Sequence, residues 1–371
     1  MKQNTQDDTK VNKHKLKIQH IIFLIILVCG TVYVAYENNS QTTIKNTGSW
    51  SENSIQKCHG NIFGTIYNIT YKSNINLHAE ISKVLTDVDN SLSPFNKKSN
   101  ITAINNNDTD IPDERMIEVF NLAKEVSQKT DGAFDITVAP LVNLWGFGFE
   151  NSESISSTNI DSIRNHIGFE KVKLEDNKII KQSPQIKLDC SAIAKGYGVD
   201  AVGKYLETKG INDYMVEIGG EIRCRGCNPN GIRWRIGITN PQDDISGKQS
   251  EIEQVLELTD ISLATSGNYR NYYIKDNQKY AHTIDPRTGY PVQHNILSST
   301  VLASDCATAD AYATAFMVLG LDSAIQVLNN NPDINAFFIY SIDSLRTGVW
   351  HSPAITKMIL ENYPCSPSSR P

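Results

Sequence analysis

The chain has 371 residues, a length that predicts two domains or one large domain. Hydrophobic residues make up 40% of it and charged residues 20%, a composition that allows a sizeable core and excludes wholesale disorder. The net charge is −6 and no basic run follows the N-terminal region, which argues against nucleic acid as the main partner.

The N-terminal region differs from the rest of the chain. Residues 1–17 carry five lysines, and residues 18–36 are apolar and lack Asp, Glu, Lys and Arg. We predict a basic region at 1–17, a transmembrane signal anchor at 18–36, a polar tether at 37–57 and a domain at 58–371. Lysines before the anchor and Glu37 after it favour a domain on the periplasmic or outer side of the inner membrane. A cleaved secretory peptide and a lipoprotein processed at Cys29 remain alternatives, and both also export the domain.

Hydrophobic periodicity predicts helices and short strands throughout the exported part. The predicted helices span 77–92, 113–130, 192–208 and 307–319. The predicted strands span 63–71, 172–174, 186–188, 214–218, 233–238, 254–258, 298–303 and 336–340. Because strands and helices are mixed without a regular alternation, the fold class is predicted as α+β, with mixed or antiparallel sheets and packed helices.

Two short motifs are interpreted as structural. Cys224 and Cys227 form a CxxC without a second CxxC or a His pair, so we expect a small hairpin disulfide or two free thiols. Gly219-Gly220-Glu221 is interpreted as a turn between two strands.

Two further segments combine glycine and polar residues with apolar context. Residues 130–148 mix glycines with aromatic residues, and they form either a packed loop or a pocket for a planar ligand. In residues 188–198, Ser191 is predicted to cap the following helix, whose N-terminus could bind an anion with help from Lys195. Capping alone is the alternative for that segment.

Two more segments lie towards the C-terminus. His282 stands among the glycine-bearing segments 263–270 and 280–291, which favours proton transfer or a phosphate contact, with the structural role that a lone histidine more often has as the alternative. Asp310 and Thr314 are four residues apart on a predicted helix, so both oxygens project from one face. A carboxylate and a hydroxyl are ligands suited to Mg²⁺ or Ca²⁺, although such a pair is also common by chance.

Taken together and in this order, these segments resemble the ApbE family of FAD:protein FMN transferases. The resemblance runs from about Cys58 to about Gly320. It rests mainly on TDGAFDITVAPLVNLWGFG, LDCSAIAKGYGVD, HTIDPRTGYP and ADAYATAFMVLG, supported by Phe63-Gly64-Thr65, Ser93-Pro94-Phe95 with Ser99 and Asn105, VEIGGEI and ATSGNYR.

The resemblance implies a role for particular residues. Asp310 and Thr314 match metal ligands, and Ala192 matches a position that gives a backbone carbonyl. The positions that match FAD contacts are Phe63, Phe95, Ala133, Phe134, Asp135, Asp189, Lys195 and Ala281. Phe63 and Phe95 stand where the family usually has Met and Tyr, so stacking is retained but a hydroxyl contact is lost at Phe95. His282 matches a histidine proposed to deprotonate the attacking threonine.

The resemblance also implies a reaction and partners. FAD is the expected substrate, a divalent cation such as Mg²⁺ holds its pyrophosphate, and a threonine of a target flavoprotein takes the FMN while AMP leaves. Expected targets include subunits of sodium-pumping NADH:quinone reductase and Rnf-type complexes. The alternatives are a metal-dependent FAD pyrophosphatase and a non-catalytic exported FAD-binding protein.

Overall fold

The structure is a computed structural model that describes residues 51, 54–148, 157–241, 252–267, 272–275, 278–281, 283–343 and 346–360. The predicted anchor at 18–36 and most of the tether lie outside these ranges. Within them, no helix combines the length and the apolar character needed to cross a membrane.

An eight-stranded antiparallel sheet organises the described residues, in the order β1-β2-β5-β6-β9-β12-β13-β14. Its strands are β1 (Ile55–Ile62), β2 (Thr65–Lys72), β5 (Tyr214–Ile218), β6 (Glu221–Arg225), β9 (Ile261–Gly267), β12 (Ile296–Ala303), β13 (Asn335–Ser341) and β14 (Thr347–His351). Three two-stranded pairs complete the strands: β3 (Val172–Glu175) with β4 (Lys178–Lys181), β7 (Trp234–Thr239) with β8 (Ile252–Leu258), and β10 (Tyr272–Lys275) with β11 (Gln278–Ala281).

The described α-helices are α1 (His78–Leu92), α2 (Asn100–Asn106), α3 (Glu114–Lys129), α4 (Ala139–Leu144), α5 (Ser157–Arg164), α6 (Ala194–Thr208), α7 (Cys306–Leu319) and α8 (Leu321–Asn329). Helices and antiparallel strands are mixed without βαβ repetition, so the predicted α+β class is confirmed. The four helices predicted from periodicity are present, each within two residues of its predicted ends.

Alternating side chains of the central strands divide the core between the two faces of the sheet. Val301 of β12 and Phe338 of β13 belong to a core cluster that includes much of α7. Their neighbours Leu302 and Phe337 belong to a second cluster on the other face, with residues of β7 and β8. Successive residues of a strand point to opposite faces of the sheet. The position of a polar residue in the strand therefore determines which face its side chain is on. This matters for β6, which contributes to the site described below.

Two strand predictions are wrong for identifiable reasons. Residues 186–188 form no strand, because the Asn105 side chain accepts a hydrogen bond from the Leu188 N–H at 2.7 Å and donates one to the Leu188 carbonyl at 2.8 Å. A side chain therefore takes the place of a neighbouring strand. The strand predicted from residue 63 begins at Thr65, because Phe63 and Gly64 have positive φ angles of 52° and 74° and form the turn from β1.

His294 fixes the C-terminal end of α7. The Ile296 N–H donates to its Nδ1 at 3.2 Å, so the neutral ring carries its proton on Nε2 and donates to the carbonyl of Met317 in the last turn of α7. Burial lowers the pKa of His294 from its ordinary value of 6.5, although the hydrogen bond to Met317 partly offsets this. Protonation of Nδ1 would place two N–H groups against each other.

We expect this histidine to make stability depend on pH. As the pH falls below 6.5, the unfolded chain takes up a proton at residue 294 that the folded chain resists, so the free energy of unfolding falls. Above pH 7.5 both states are neutral at this residue and the contribution vanishes. Thermal unfolding between pH 5 and 8 should show a weaker fall in Tm for His294→Gln than for the unchanged chain. Equal slopes for the two proteins would contradict the assignment.

Candidate functional site

The main candidate site is a cavity of about 790 Å³. Its walls come from six parts of the chain: Phe95, the loop at 133–148, the segment 189–195, the end of β9, residues 283–286 and α7. A second cavity of about 640 Å³ adjoins it, and Phe95, Ser191 and Lys195 line both. Cavities of this size hold cofactor-sized ligands, and two adjoining cavities suit an extended one.

Asp310 and Thr314 line the first cavity from α7, as the four-residue spacing predicts. The Asp310 side chain is buried, and its Oδ2 accepts a hydrogen bond from the Gly196 N–H at 3.0 Å. The Thr314 hydroxyl lies 3.2 Å from the Ser266 hydroxyl of β9. A carboxylate and a hydroxyl are therefore presented together on one wall of the cavity.

The N-terminal end of α7 is held by two carboxylates. Asp305 caps the helix, accepting from the Thr308 N–H at 2.8 Å. Asp200 of α6 accepts from the Ala307 N–H at 2.9 Å and pairs with Arg223 of β6 at 2.9 Å. Since both contacts lie within one turn of Asp310, they fix the position of its carboxylate.

Gly196 allows α6 and α7 to approach closely. A Cβ at this position would lie 2.3 Å from the backbone carbonyl oxygen of Cys306, so only glycine fits without moving a helix. This close approach brings the Gly196 N–H to Asp310. Two residues further on, a Cβ at Gly198 would lie 2.6 Å from the ring of Phe63. Close packing on two sides of α6 thus explains the two glycines, Gly196 and Gly198, in this part of the sequence.

Lys195 is the basic residue among the described residues that line the two cavities. Its Nζ pairs with the Oε1 of Glu221 and lies 3.9 Å from the Oδ1 of Asp310. Burial alone would lower the pKa of Lys195, but Asp310 and Glu221 outweigh it, so the pKa is raised and the side chain is a cation at neutral pH. A cation beside both cavities can attract a phosphate group.

Glu221 also belongs to this site, although its role is not among those predicted from the sequence. It begins β6 directly after the Gly219-Gly220 turn, and its side chain is only 2% exposed. Burial raises the pKa of Glu221, Lys195 opposes the rise and Asp310 adds to it. A usable signal was present, because Glu221 and Arg223 alternate with the apolar Ile222 and Cys224 and so share one face of the strand.

Ser191 does not cap α6, contrary to the prediction. The helix begins at Ala194, and its N-cap residue, Ile193, makes no capping side-chain hydrogen bond. The Ser191 N–H instead donates to Asp189 Oδ1 at 2.8 Å, forming a turn that leaves Ser191 exposed at the cavity. Burial raises the pKa of Asp189 despite this hydrogen bond.

The Gly196 N–H would bond to the Ala192 carbonyl if the helix continued back to that residue, but it donates to Asp310 instead. The carbonyl of Ala192 therefore lacks its helical partner. Ala192, Asp310 and Thr314 all line the first cavity. They offer a carbonyl, a carboxylate and a hydroxyl, the oxygen ligands that Mg²⁺ and Ca²⁺ prefer.

Within the described ranges, no three His, Cys, Asp or Glu side chains form a metal-binding cluster. A cation held by Ala192, Asp310 and Thr314 would therefore depend on oxygens of the substrate or water to complete its coordination. That requirement suits Mg²⁺ at a nucleotide phosphate. The residues present fit the predicted metal.

The predicted aromatic and loop residues also lie at the cavities. Phe95 is 66% exposed and lines both, whereas Phe63 lines the second. Ala133 and Phe134 line the first cavity and are buried. Asp135 lines it too. Its carboxylate accepts hydrogen bonds from Thr137 and from the Phe169 N–H, and these bonds stabilise the loop.

The two remaining predicted residues lie at the edge of what the structure describes. Ala281 is the last residue of β11, and its side chain is outside the description. His282 lies outside the described residues. Thr283 and Ile284 follow directly and line the first cavity. The CxxC cysteines, Cys224 and Cys227, are free thiols in the structure.

This α+β domain with an oxygen-lined double cavity has the features of a nucleotide-handling enzyme. Residues 63–338 match the family model described as the ApbE family. An FAD:protein FMN transferase of Vibrio cholerae is 39% identical over 283 residues, covering 73% of this chain and 84% of that protein. The Escherichia coli K12 protein of the same name is 33% identical, covering 80% of this chain and 85% of its own length.

Solved structures agree with these relatives. The flavin transferase ApbE from Vibrio cholerae superposes with a TM-score of 0.74 at 35% identity, covering 82% of this chain and 99% of that one. The apo form of the Pseudomonas stutzeri flavinyl transferase ApbE gives 0.73 at 29% identity, covering 82% and 96%. The chain belongs to the ApbE family, and it is an enzyme of the transferase class.

Proposed function

We propose that this chain transfers the FMN part of FAD to a threonine hydroxyl of exported flavoproteins and releases AMP, with a divalent cation, Mg²⁺, bound in the first cavity. The observation that carries the proposal is the convergence of Ala192, Lys195, Asp310 and Thr314 on one cavity. The relatives named FAD:protein FMN transferase support the substrate and the reaction.

The chemistry required is phosphoryl transfer, which depends on positioning and on neutralising charge. Ala192, Asp310 and Thr314 would hold the cation, which supplies Lewis acidity to the pyrophosphate when bound. Lys195 contributes a positive charge at the junction of the two cavities. Phe63 and Phe95 offer aromatic surfaces in the second cavity for the flavin ring.

The reaction balances without an added oxidant or reductant. The threonine oxygen of the target forms a bond to the FMN phosphorus, and the bond from that phosphorus to the AMP oxygen breaks. His282 takes the proton of the threonine hydroxyl, since an ordinary pKa of about 6.5 suits general-base catalysis near neutral pH. The nucleophile belongs to the partner, so the enzyme needs no nucleophilic residue of its own.

Replacing His282 by asparagine is expected to lower the transfer rate by roughly 10²-fold or more, because a positioned general base contributes about that much. FAD binding should persist, because the role assigned to His282 is proton transfer rather than binding. Transfer rates and FAD affinity, measured on the same preparations, separate the two effects. Full activity of His282→Asn would remove the base assignment.

The proposal is tested by incubating the full chain in detergent with FAD, Mg²⁺ and an acceptor domain that carries a candidate threonine. Mass spectrometry should detect acceptor with FMN attached, and the acceptor with that threonine replaced by alanine is the control. Free FMN and AMP without labelled acceptor would indicate a pyrophosphatase. Intact FAD after long incubation would indicate a flavin-binding protein.

The location and partners form part of the same proposal. The predicted anchor at 18–36 would hold the domain at the outer face of the inner membrane. Membrane flavoproteins with exported acceptor threonines would then be within reach. Subunits of sodium-pumping NADH:quinone reductase or Rnf-type complexes are the candidate targets.

A further inference from the structure

Glu221 lies where the sheet otherwise buries apolar side chains. Neighbouring β5 places Tyr214, Val216 and Ile218 in the core that includes residues of α6. Two hydrogen bonds fix the turn before β6: the Gly219 N–H donates to the Ile66 carbonyl at 3.0 Å, and the Gly220 N–H donates to Glu217 at 2.8 Å. The turn therefore determines that β6 starts with Glu221 directed at Lys195 of α6.

A carboxylate in this position is costly. Its Oε1 accepts from Lys195, but its Oε2 is buried and has no hydrogen-bond partner among the described residues. Burying a charged oxygen without a partner destabilises a fold. An apolar residue would pack here without that cost, which indicates that Glu221 has a function in the site.

We propose that Glu221 is a positioning residue, which holds the Lys195 ammonium at the junction of the two cavities and away from the Asp310 carboxylate. The inference rests on the proposed function, because it assigns a cation to Asp310. Glu221 acts through Lys195 and has no contact of its own with substrate or cation.

The distances support a competition between two carboxylates for one ammonium. Lys195 makes a direct hydrogen bond to Glu221, whereas its Nζ lies 3.9 Å from Asp310 Oδ1, beyond hydrogen-bond distance. Without the charge of Glu221, Asp310 would be the one of these two carboxylates that still attracts the Lys195 ammonium. Moving from 3.9 Å into direct contact with Asp310 would then occupy the oxygen that the proposed cation needs, and it would take the ammonium away from the cavity junction.

The test is cation binding, measured without catalysis. Mn²⁺ is titrated into the full chain in detergent, and free Mn²⁺ is followed by electron paramagnetic resonance. Glu221→Gln is expected to weaken Mn²⁺ binding about tenfold, within the range of coupling energies for residues in contact. The Asp310→Asn protein identifies the binding that depends on Asp310.

A second pair of variants separates positioning from other effects. In a Lys195→Met background there is no ammonium to hold, so adding Glu221→Gln should change Mn²⁺ affinity by less than about threefold. A general effect of lost charge or altered packing would give the same fold-change in both backgrounds. Glu221→Asp keeps the charge but shortens the side chain, and an intermediate affinity is expected.

Glu257→Gln is the matched control. Glu257 of β8 pairs with Arg235 of β7 at 3.0 Å, away from the cavities, so this variant removes the same charge from a strand ion pair. Unchanged Mn²⁺ affinity in Glu221→Gln, with normal thermal unfolding, would overturn the positioning role alone. Absence of Asp310-dependent Mn²⁺ binding in the unchanged chain would overturn the metal part of the proposed function together with this inference.

Discussion

Replacing Asp310 by asparagine is expected to lower Mg²⁺-dependent flavin transfer by roughly 10²–10³-fold, the range seen when one charge-stabilising group is removed from an active site. The amide keeps an oxygen that can accept from the Gly196 N–H, so the contact at 3.0 Å between α6 and α7 can survive. The substitution removes only the negative charge of the Asp310 carboxylate. The loss should therefore appear in activity and cation affinity more than in stability.

Asp305→Asn is the control for Asp310→Asn. Asp305 lies on the same helix at its N-cap, and asparagine caps a helix about as well as aspartate. This variant removes one carboxylate near the site without touching the proposed ligand, so transfer should stay near the original rate. Comparable transfer and Mg²⁺ dependence in Asp310→Asn and the unchanged chain would contradict the metal assignment.

Replacing Gly196 by alanine is expected to have the largest effect on stability, about 2–3 kcal/mol from overpacking. The added Cβ would meet backbone atoms only, at 2.3 Å from the Cys306 oxygen and 2.9 Å from the Ala307 Cα. Backbone cannot rotate out of the way, so α6 and α7 must separate. Flavin transfer should fall as well, because the Gly196 N–H would leave Asp310.

Gly203→Ala provides the comparison on the same helix. The nearest atom to its new Cβ would be Cδ of the Arg223 side chain at 2.8 Å, which is an obstacle that can move. Alanine also favours a helix interior by about 1 kcal/mol over glycine, which offsets part of the cost. Urea unfolding should therefore give a clearly larger loss for Gly196→Ala. Equal losses would mean that the α6–α7 approach is less constrained than the contacts indicate.

The local part of the site could be predicted from the sequence. Asp310 and Thr314 share a helix face by spacing alone, and the structure brings both to one cavity. Helix boundaries were also readable from apolar periodicity. The capping prediction for Ser191 is wrong because serine just before a helix is a strong capping signal, whereas this helix begins three residues later, at Ala194.

The long-range part could not be predicted from a single sequence. Glu221 follows two glycines, and a charged residue beside a turn is normally exposed, so the alternation along β6 indicates which face it is on but not its burial against Lys195. The segment at 186–188 has the composition of a strand, but its partner is the side chain of Asn105, 83 positions away. Both errors come from contacts that depend on tertiary packing rather than on local pattern.

The attachment of α7 at both ends affects how the site would take up an ion. Asp200 and Asp305 hold its first turn, and His294 holds its last. The carboxylate and the hydroxyl that it carries are thus preorganised before any ligand arrives. Little conformational entropy remains to be lost on binding, so more of the gross interaction free energy is retained as affinity.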